Sequence, residues 1–246
     1  MSVLQKTSDL LDCLGQAAEP VTLAYVRSTL DMPKSSTHRL LTDLAALGIV
    51  RRNEDGRYSL GPRLLYWGEV AAESFDLRNI AESSMRRLRD VVEESVHLYI
   101  REKNVRICIA AVEAHHELRP FIQLGSPLPL RAGAAGKLLL AFADPDVQDG
   151  ELERANDADT EFPGAPGQNL ASELAEIRRE RWATSIGERQ QGVSAVAAAV
   201  VDPRDRVVAA LGISGPTARL DKKQLLALRK PLEECAAEIS TLASHG

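Results

Sequence analysis

The stretch "MPKSSTHRLLTDLAALGIVRRNEDGRYSLG", residues Met32 to Gly61, changes period part-way along. Leu40, Leu41, Leu44 and Leu47 recur at helical spacing, behind Ser35 and Ser36, either of which can cap a helix start, and ahead of Gly48, a natural stop. Ile49 to Gly61 then reads as two short strands around Asn53 to Gly56, with "DG" as the turn signal because glycine tolerates positive φ. Upstream, Val3, Leu4, Leu10, Leu11 and Leu14 form a helical stripe that Gly15 ends. Thr22 can cap a second helix through about Leu30, with Leu23, Val26 and Leu30 on one face.

Three short helices followed by a hairpin is the order of a winged helix-turn-helix domain. In that arrangement the third helix enters the DNA major groove, and its N-terminal residues face base edges and phosphates. Here they are Lys34, Ser35, Ser36, Thr37, His38 and Arg39, with Thr42 one turn on. Small hydroxyls donate to phosphates and base edges, Arg39 can fork onto guanine or phosphate, and helix N-terminal amides favour anions. Arg51, Arg52 and Arg57 on the hairpin would lie along the backbone or in the minor groove.

Charge placement agrees in sign. The 246-residue chain carries a net charge of -5, yet Arg27 to Arg63 holds seven basic residues against four acidic ones, +3, leaving -8 elsewhere. One segment is suited to a polyanion and the rest is not. From charge alone, a solvated basic face on a helical bundle competes with DNA binding, and Asp43 and Glu54 favour that competitor.

Pro62 suits the first turn of a further helix, with Leu64, Leu65, Trp67, Val70 and Ala71 on or near one face. Composition shifts between Ala72 and Leu77. We divide the chain into a DNA-binding domain over 1–61, a linker helix over 62–75 and a second domain over 76–246. The second domain opens on an amphipathic helix marked by Leu77, Ile80, Ala81, Leu88, Val91 and Val92. Strands are predicted in "SVHLYIRE", "VRICIAAVE", Pro120 to Leu124, "WATSIGE", "VSAVAAAVVD" and "RVVAALGIS", and helices after "GSPLPLRAGAAG", over Leu170 to Arg181 and over Asp221 to Leu242. Residues 156–169 read as a surface loop. Antiparallel strands with helices on one face make this an α+β domain.

The chain starts without a basic leader, and no run of about 20 apolar residues occurs, so a cytoplasmic protein without a membrane span is expected. Cys13, Cys108 and Cys235 are widely spaced and odd in number, which speaks against disulfides and a zinc site. Of the histidines His38, His97, His115, His116 and His245, no two have metal-ligand spacing. Nucleophile-elbow, phosphate-loop and dinucleotide motifs are absent. No catalytic residue, metal or cofactor is therefore assigned. An enzyme, or an interaction adaptor with a vestigial winged helix, remains the rival class, and loss of DNA binding in Arg39→Ala with the fold intact argues against both.

"MPKSSTHRLLTDLAALGIVRRNEDGRYSLGPRLLYWGE" resembles the N-terminal domain of the isocitrate lyase regulator (IclR) family of bacterial transcription factors, through T-x-x-R-L-L, L-x-x-x-G-x-V and G-R-Y-x-L-G. "GSPLPLRAGAAGKLLLA", "RRERWATSIGERQQGVSAVAAAVVD" and "VVAALGISGPTARL" are similar to segments of that family's C-terminal effector-binding domain, so the resemblance covers nearly the whole chain. It implies a GAF-like α/β fold for the second domain, a double-stranded operator, a small-molecule effector, and dimers often paired as tetramers. The linker helix, through Leu64, Leu65 and Trp67, is the candidate dimer contact.

The resemblance also places effector contacts at Arg131, Gly133, Ala134, Ala135, Ser185, Glu188, Ala195, Gly212 and Ser214. Physically, "GAAG" leaves amides at a helix start that suit a carboxylate, although tight helix-to-sheet packing explains the glycines as well. Departures from the family pattern matter here. Ala195 stands where the family has cysteine, Ala199 where it has proline, Gly212 for the first serine of S-x-S-G-P, and Arg131 for a histidine. Ala195 and Gly212 predict a roomier, less polar pocket, for an aromatic or amino-acid-related carboxylate rather than the smallest acids.

Overall fold

Leu10, Leu14, Val26, Leu41, Leu44 and Tyr58 meet in one buried cluster, the core of the first of two units into which the chain divides, Met1–Ser74 and Phe75–Gly246. The computed structural model describes residues 2–73, 76–156, 162 and 169–244. His245 and most of the loop expected over 156–169 lie outside the described residues.

The first unit contains α1 (Val3–Gln16), α2 (Leu23–Thr29), α3 (Lys34–Ala46), the hairpin β1 (Val50–Arg52) and β2 (Tyr58–Leu60), and α4 (Arg63–Glu73). Thr22 caps α2, its Oγ1 accepting the Tyr25 amide at 3.2 Å. Neither Ser35 nor Ser36 caps α3. The helix starts at Lys34, behind Pro33, and both serines stand in its first turn. Leu47 is not core. It is 52% exposed, because α3 ends before it and Gly48 turns the chain at φ 71°. The hairpin closes through Asn53, whose Oδ1 accepts the Arg57 amide at 2.8 Å, and through Gly56 at φ 76°. Val21 bridges to Tyr58 and ties the wing to the helices. The helix expected as a linker groups with this unit. Leu64 packs on the core, and Arg63 Nη1 donates to the Leu47 carbonyl at 3.0 Å.

The second unit begins with α5 (Asp76–Val92). Its sheet holds six antiparallel strands in the order β5-β4-β3-β8-β7-β6, namely β3 (Ser95–Glu102), β4 (Val105–Val112), β5 (Pro127–Pro129), β6 (Trp182–Ile186), β7 (Val193–Val201) and β8 (Val207–Pro216). Helices cover both faces, not one. α5 and α9 (Lys222–Ala243) pack with Val96, Leu98, Val196, Leu211 and Ile213, whereas α6 (Ala134–Ala141) and α8 (Leu170–Glu180) pack with Tyr99, Cys108, Ala197 and Ala210. The cause is legible in β7 and β8, which are apolar or small at nearly every position and so carry no solvent face. α7 (Pro145–Asn156) was not predicted, since its polar sequence "PDVQDGELERAN" has little apolar rhythm. No strand forms over Pro120 to Leu124. The chain leaves the sheet there, and Gly125 returns by donating to the Cys108 carbonyl at 2.9 Å ahead of β5.

Candidate functional site

Two surfaces carry chemistry, one in each unit. On α3, successive residues turn by about 100°. Lys34, Ser35, His38, Arg39 and Thr42 therefore share one arc of roughly 140°, and all five are exposed. Ser36, half-buried, lies about 60° beyond one edge of that arc. Thr37 lies equally far beyond the other edge, on the side of Leu41 and Leu44. It is 0% exposed and its Oγ1 donates to the Pro33 carbonyl at 3.1 Å, so it anchors the turn into α3 instead of reaching outward. Thr42 Oγ1 donates to the His38 carbonyl at 2.8 Å and keeps its lone pairs for an outside donor. Arg51, Arg52 and Arg57 are exposed on the wing. Arg52 lies over the Tyr58 ring at 5.6 Å, and Arg57 Nη1 donates to the Pro20 carbonyl at 3.3 Å, which holds both stems while their charge faces solvent.

In the second unit, a cavity of about 50 Å³ opens between the sheet and the start of α6. Its floor follows from register. His97 and Gly212 are paired, Tyr99 faces Ala210, and Ala195 faces Ser214. Small residues on β7 and β8 leave the space, and the larger side chains of β3 enter it. Gly133, Ala134, Ala135, Ser185, Ala195, Gly212 and Ser214 line it, together with His97, Tyr99, Arg106, Pro120, Ile122, Arg189 and Gln190.

The two other expected contacts are elsewhere. Arg131 pairs with the buried Glu151 at 3.4 Å and stacks on Phe162 at 5.1 Å, which draws it away from the cavity. Glu188 stands behind the wall. Its Oε2 accepts the Gly133 amide at 2.8 Å and its Oε1 accepts Lys137 Nζ at 2.5 Å. The Ala134 amide donates to Ser185 Oγ at 3.0 Å. Two amides of the "GAAG" turn thus already have acceptors. The cavity is small despite Ala195 and Gly212, and His97, Tyr99 and Arg106 line it beside them.

Arg106 is the main residue that sequence reasoning missed. It is 3% exposed, Nη1 donates to the carbonyls of Pro129 at 2.6 Å and Ala132 at 2.7 Å, and its guanidinium lies over Tyr99 at 5.5 Å. Its buried Nε has no partner. Burial lowers its pKa to about 10, so it stays cationic at neutral pH. A single arginine between Val105 and Ile107 in an otherwise apolar strand was the available signal. His97, 2% exposed, has its pKa pushed down to about 4 by burial, against a raising influence of Glu113, and its Nδ1 lies 3.4 Å from Ser214 Oγ. The ring is therefore neutral at pH 7. Burial pushes the Tyr99 phenol above its ordinary range, so it stays protonated. Among the described residues the lining holds two guanidiniums, Arg106 and Arg189, and no carboxylate, which gives the cavity a positive potential. Among the described residues, no group of three histidine, cysteine, aspartate or glutamate side chains could hold a metal.

The model of the IclR helix-turn-helix domain matches residues 3–54, and that of the bacterial transcriptional regulator IclR C-terminal domain matches residues 70–241. The chain belongs to the IclR family. It is 30% identical to the HTH-type transcriptional regulator BhcR of Paracoccus denitrificans over 243 residues, 96% of this chain and 85% of BhcR. The Thermotoga maritima IclR crystal structure is similar at 25% identity and a TM-score of 0.73, covering 97% of both chains. An IclR homologue from Microbacterium hydrocarbonoxydans, solved in complex with 4-hydroxybenzoate, shares the fold at 23% identity and a TM-score of 0.81, with 98% of each chain covered. This IclR-family chain is thus a DNA-binding transcriptional regulator with a helix-turn-helix unit followed by an α/β unit. None of its helices among the described residues is long and apolar enough to cross a membrane.

Proposed function

We propose that this regulator binds a two-fold operator as a dimer in the cytoplasm, and that a compact organic carboxylate in the second unit's cavity modulates that binding. The observation that carries the effector class is the lining itself, with Arg106 and Arg189, no acid, and a buried guanidinium Nε left without a partner. The ligand-bound homologue from Microbacterium hydrocarbonoxydans holds 4-hydroxybenzoate, which agrees with this reading in charge and not in size. The free volume of about 50 Å³ favours few heavy atoms, since an engineered cavity of about 150 Å³ is what holds benzene. Operator contacts are assigned to Lys34, Ser35, His38, Arg39 and Thr42, with Ser36 beyond one edge of their arc and Arg51, Arg52 and Arg57 on the phosphates. For the dimer contact, α4 offers Leu65, Tyr66, Trp67 and Val70, all exposed. A differential affinity of a few kcal/mol between operator-bound and free states suffices for a switch.

The test is fluorescence anisotropy on a duplex from the chain's own upstream region, titrated with aliphatic and aromatic acids and their amides. Acids should shift operator affinity and amides should not, and Arg106→Met should abolish the shift while operator affinity persists. Equal effects of acids and amides would overturn the assignment.

A further inference from the structure

We propose that Glu188 is a built-in occupant of the anion seat at the start of α6, and that an effector carboxylate acts by exchanging places with it. This rests on the carboxylate reading above and adds the step by which binding is felt.

The seat has two donors. Gly133 N–H and Lys137 Nζ both point at one carboxylate, that of Glu188, at 2.8 and 2.5 Å. Lys137 is 2% exposed and holds a second acid, Glu173, at 2.7 Å. Gly133 is shared. On one side its amide takes Glu188, and on the other the residue lines the cavity beside Arg106, whose Nη2 stands 3.2 Å from the place of a Gly133 β-carbon. An anion drawn in by Arg106 and Arg189 therefore arrives next to donors already in use. The unpartnered Arg106 Nε marks the unused donor capacity on that side.

Exchange balances in charge. The ammonium and the amide keep one carboxylate throughout, so no buried cation is stranded, which is the costly outcome. Glu188 has somewhere to go. It also lines a larger open groove of about 620 Å³ with Glu173, Glu176 and Ser185, and Ser185 belongs to both spaces. Desolvation disfavours the Glu188 carboxylate where it sits, and the groove returns it to water. Glu188, Arg189 and Gln190 ride on the turn between β6 and β7, whose ends Gly187 (φ 68°) and Gly192 (φ 77°) take backbone angles that glycine adopts without strain. Arg189 and Gln190 of the same turn line the cavity, so the exchange would be felt along the turn.

The direct test is calorimetry of acetate and acetamide against the full-length wild type and Glu188→Ala. The vacated seat should bind acetate roughly tenfold tighter than the wild type does, and acetamide should gain nothing. In parallel, ¹³C NMR of the wild type should show the Glu188 side-chain carboxyl resonance moving at acetate saturation while the Gly133 amide stays hydrogen-bonded. The NMR arm decides alone should Glu188→Ala not fold. Acetate binding equally to both proteins with an unmoved Glu188 resonance overturns the exchange and leaves the carboxylate reading standing. If no acid binds either protein, the carboxylate reading falls and the exchange with it.

Discussion

The guanidinium of Arg106 occupies the space of a side chain on Gly136: a β-carbon there would lie 1.9 Å from Arg106 Nη1, and the carbonyl oxygens of Leu130 and Pro129 would stand 2.6 and 2.9 Å away. Gly136→Ala must expel the arginine or push α6 off the sheet. We expect a loss of about 1–3 kcal/mol in stability, read by urea denaturation, together with loss of any carboxylate response. An unchanged midpoint would show that α6 yields freely and that Arg106 is not clamped by it.

On α3, Arg39 is exposed and Thr37 is buried against Pro33. Arg39→Ala should weaken operator binding by about 1–3 kcal/mol with little change in melting temperature. Thr37→Val should do the reverse, costing stability but little intrinsic DNA affinity. Anisotropy at two salt concentrations and a thermal melt separate the two. If Arg39→Ala binds as the wild type does, the groove-facing assignment of α3 is wrong.

Gly212 sits on the cavity floor with room for a methyl group. The nearest atoms to an added β-carbon are the Val196 carbonyl oxygen at 3.6 Å and Tyr99 Cε2 at 3.8 Å. Gly212→Ala should fold normally and shrink the cavity, weakening acid binding by roughly tenfold or more, which calorimetry would report. Undiminished binding would place the effector outside this cavity.

The neutral, buried His97 links stability to pH. Its folded pKa of about 4 lies below the ordinary 6.5, so the unfolded chain binds the extra proton between those values. Stability is full above pH 6.5 and is lost as pH falls toward 4. Between pH 6.5 and 5 the loss from this group is about 2 kcal/mol. Glu188, whose pKa burial raises, works in the opposite sense, which is why the comparison needs a variant. His97→Gln should flatten the pH dependence of the melting temperature over this range. Parallel curves for the two proteins would show that His97 does not titrate as its burial implies.

The period-3.6 and period-2 patterns of Met32 to Gly61, with "DG" and Gly48 as punctuation, determined a winged helix-turn-helix unit without any tertiary information. Local backbone preference and one amphipathic face per element suffice for that. The family resemblance, not spacing, suggested Gly133, Ala134, Ala135, Ser185, Ala195, Gly212 and Ser214, which line the cavity, and Arg131 and Glu188, which do not.

What the sequence could not decide is which polar group faces which neighbour. Thr37 shares a helix face with Leu41 and Leu44, a phase already present in the sequence, whereas its hydroxyl bond to the Pro33 carbonyl is set by the turn into α3. The "GAAG" amides looked free, because Glu188, 55 residues later than Gly133, meets them only when the turn after β6 folds back onto α6. Arg106 drew no reading from the sequence, because its acceptors, the carbonyls of Pro129 and Ala132, lie 23 and 26 residues further on. Burial, pKa and hydrogen-bond partners depend on residues distant in the chain, so the charge of the cavity and the occupant of its anion seat were decided by the tertiary structure alone.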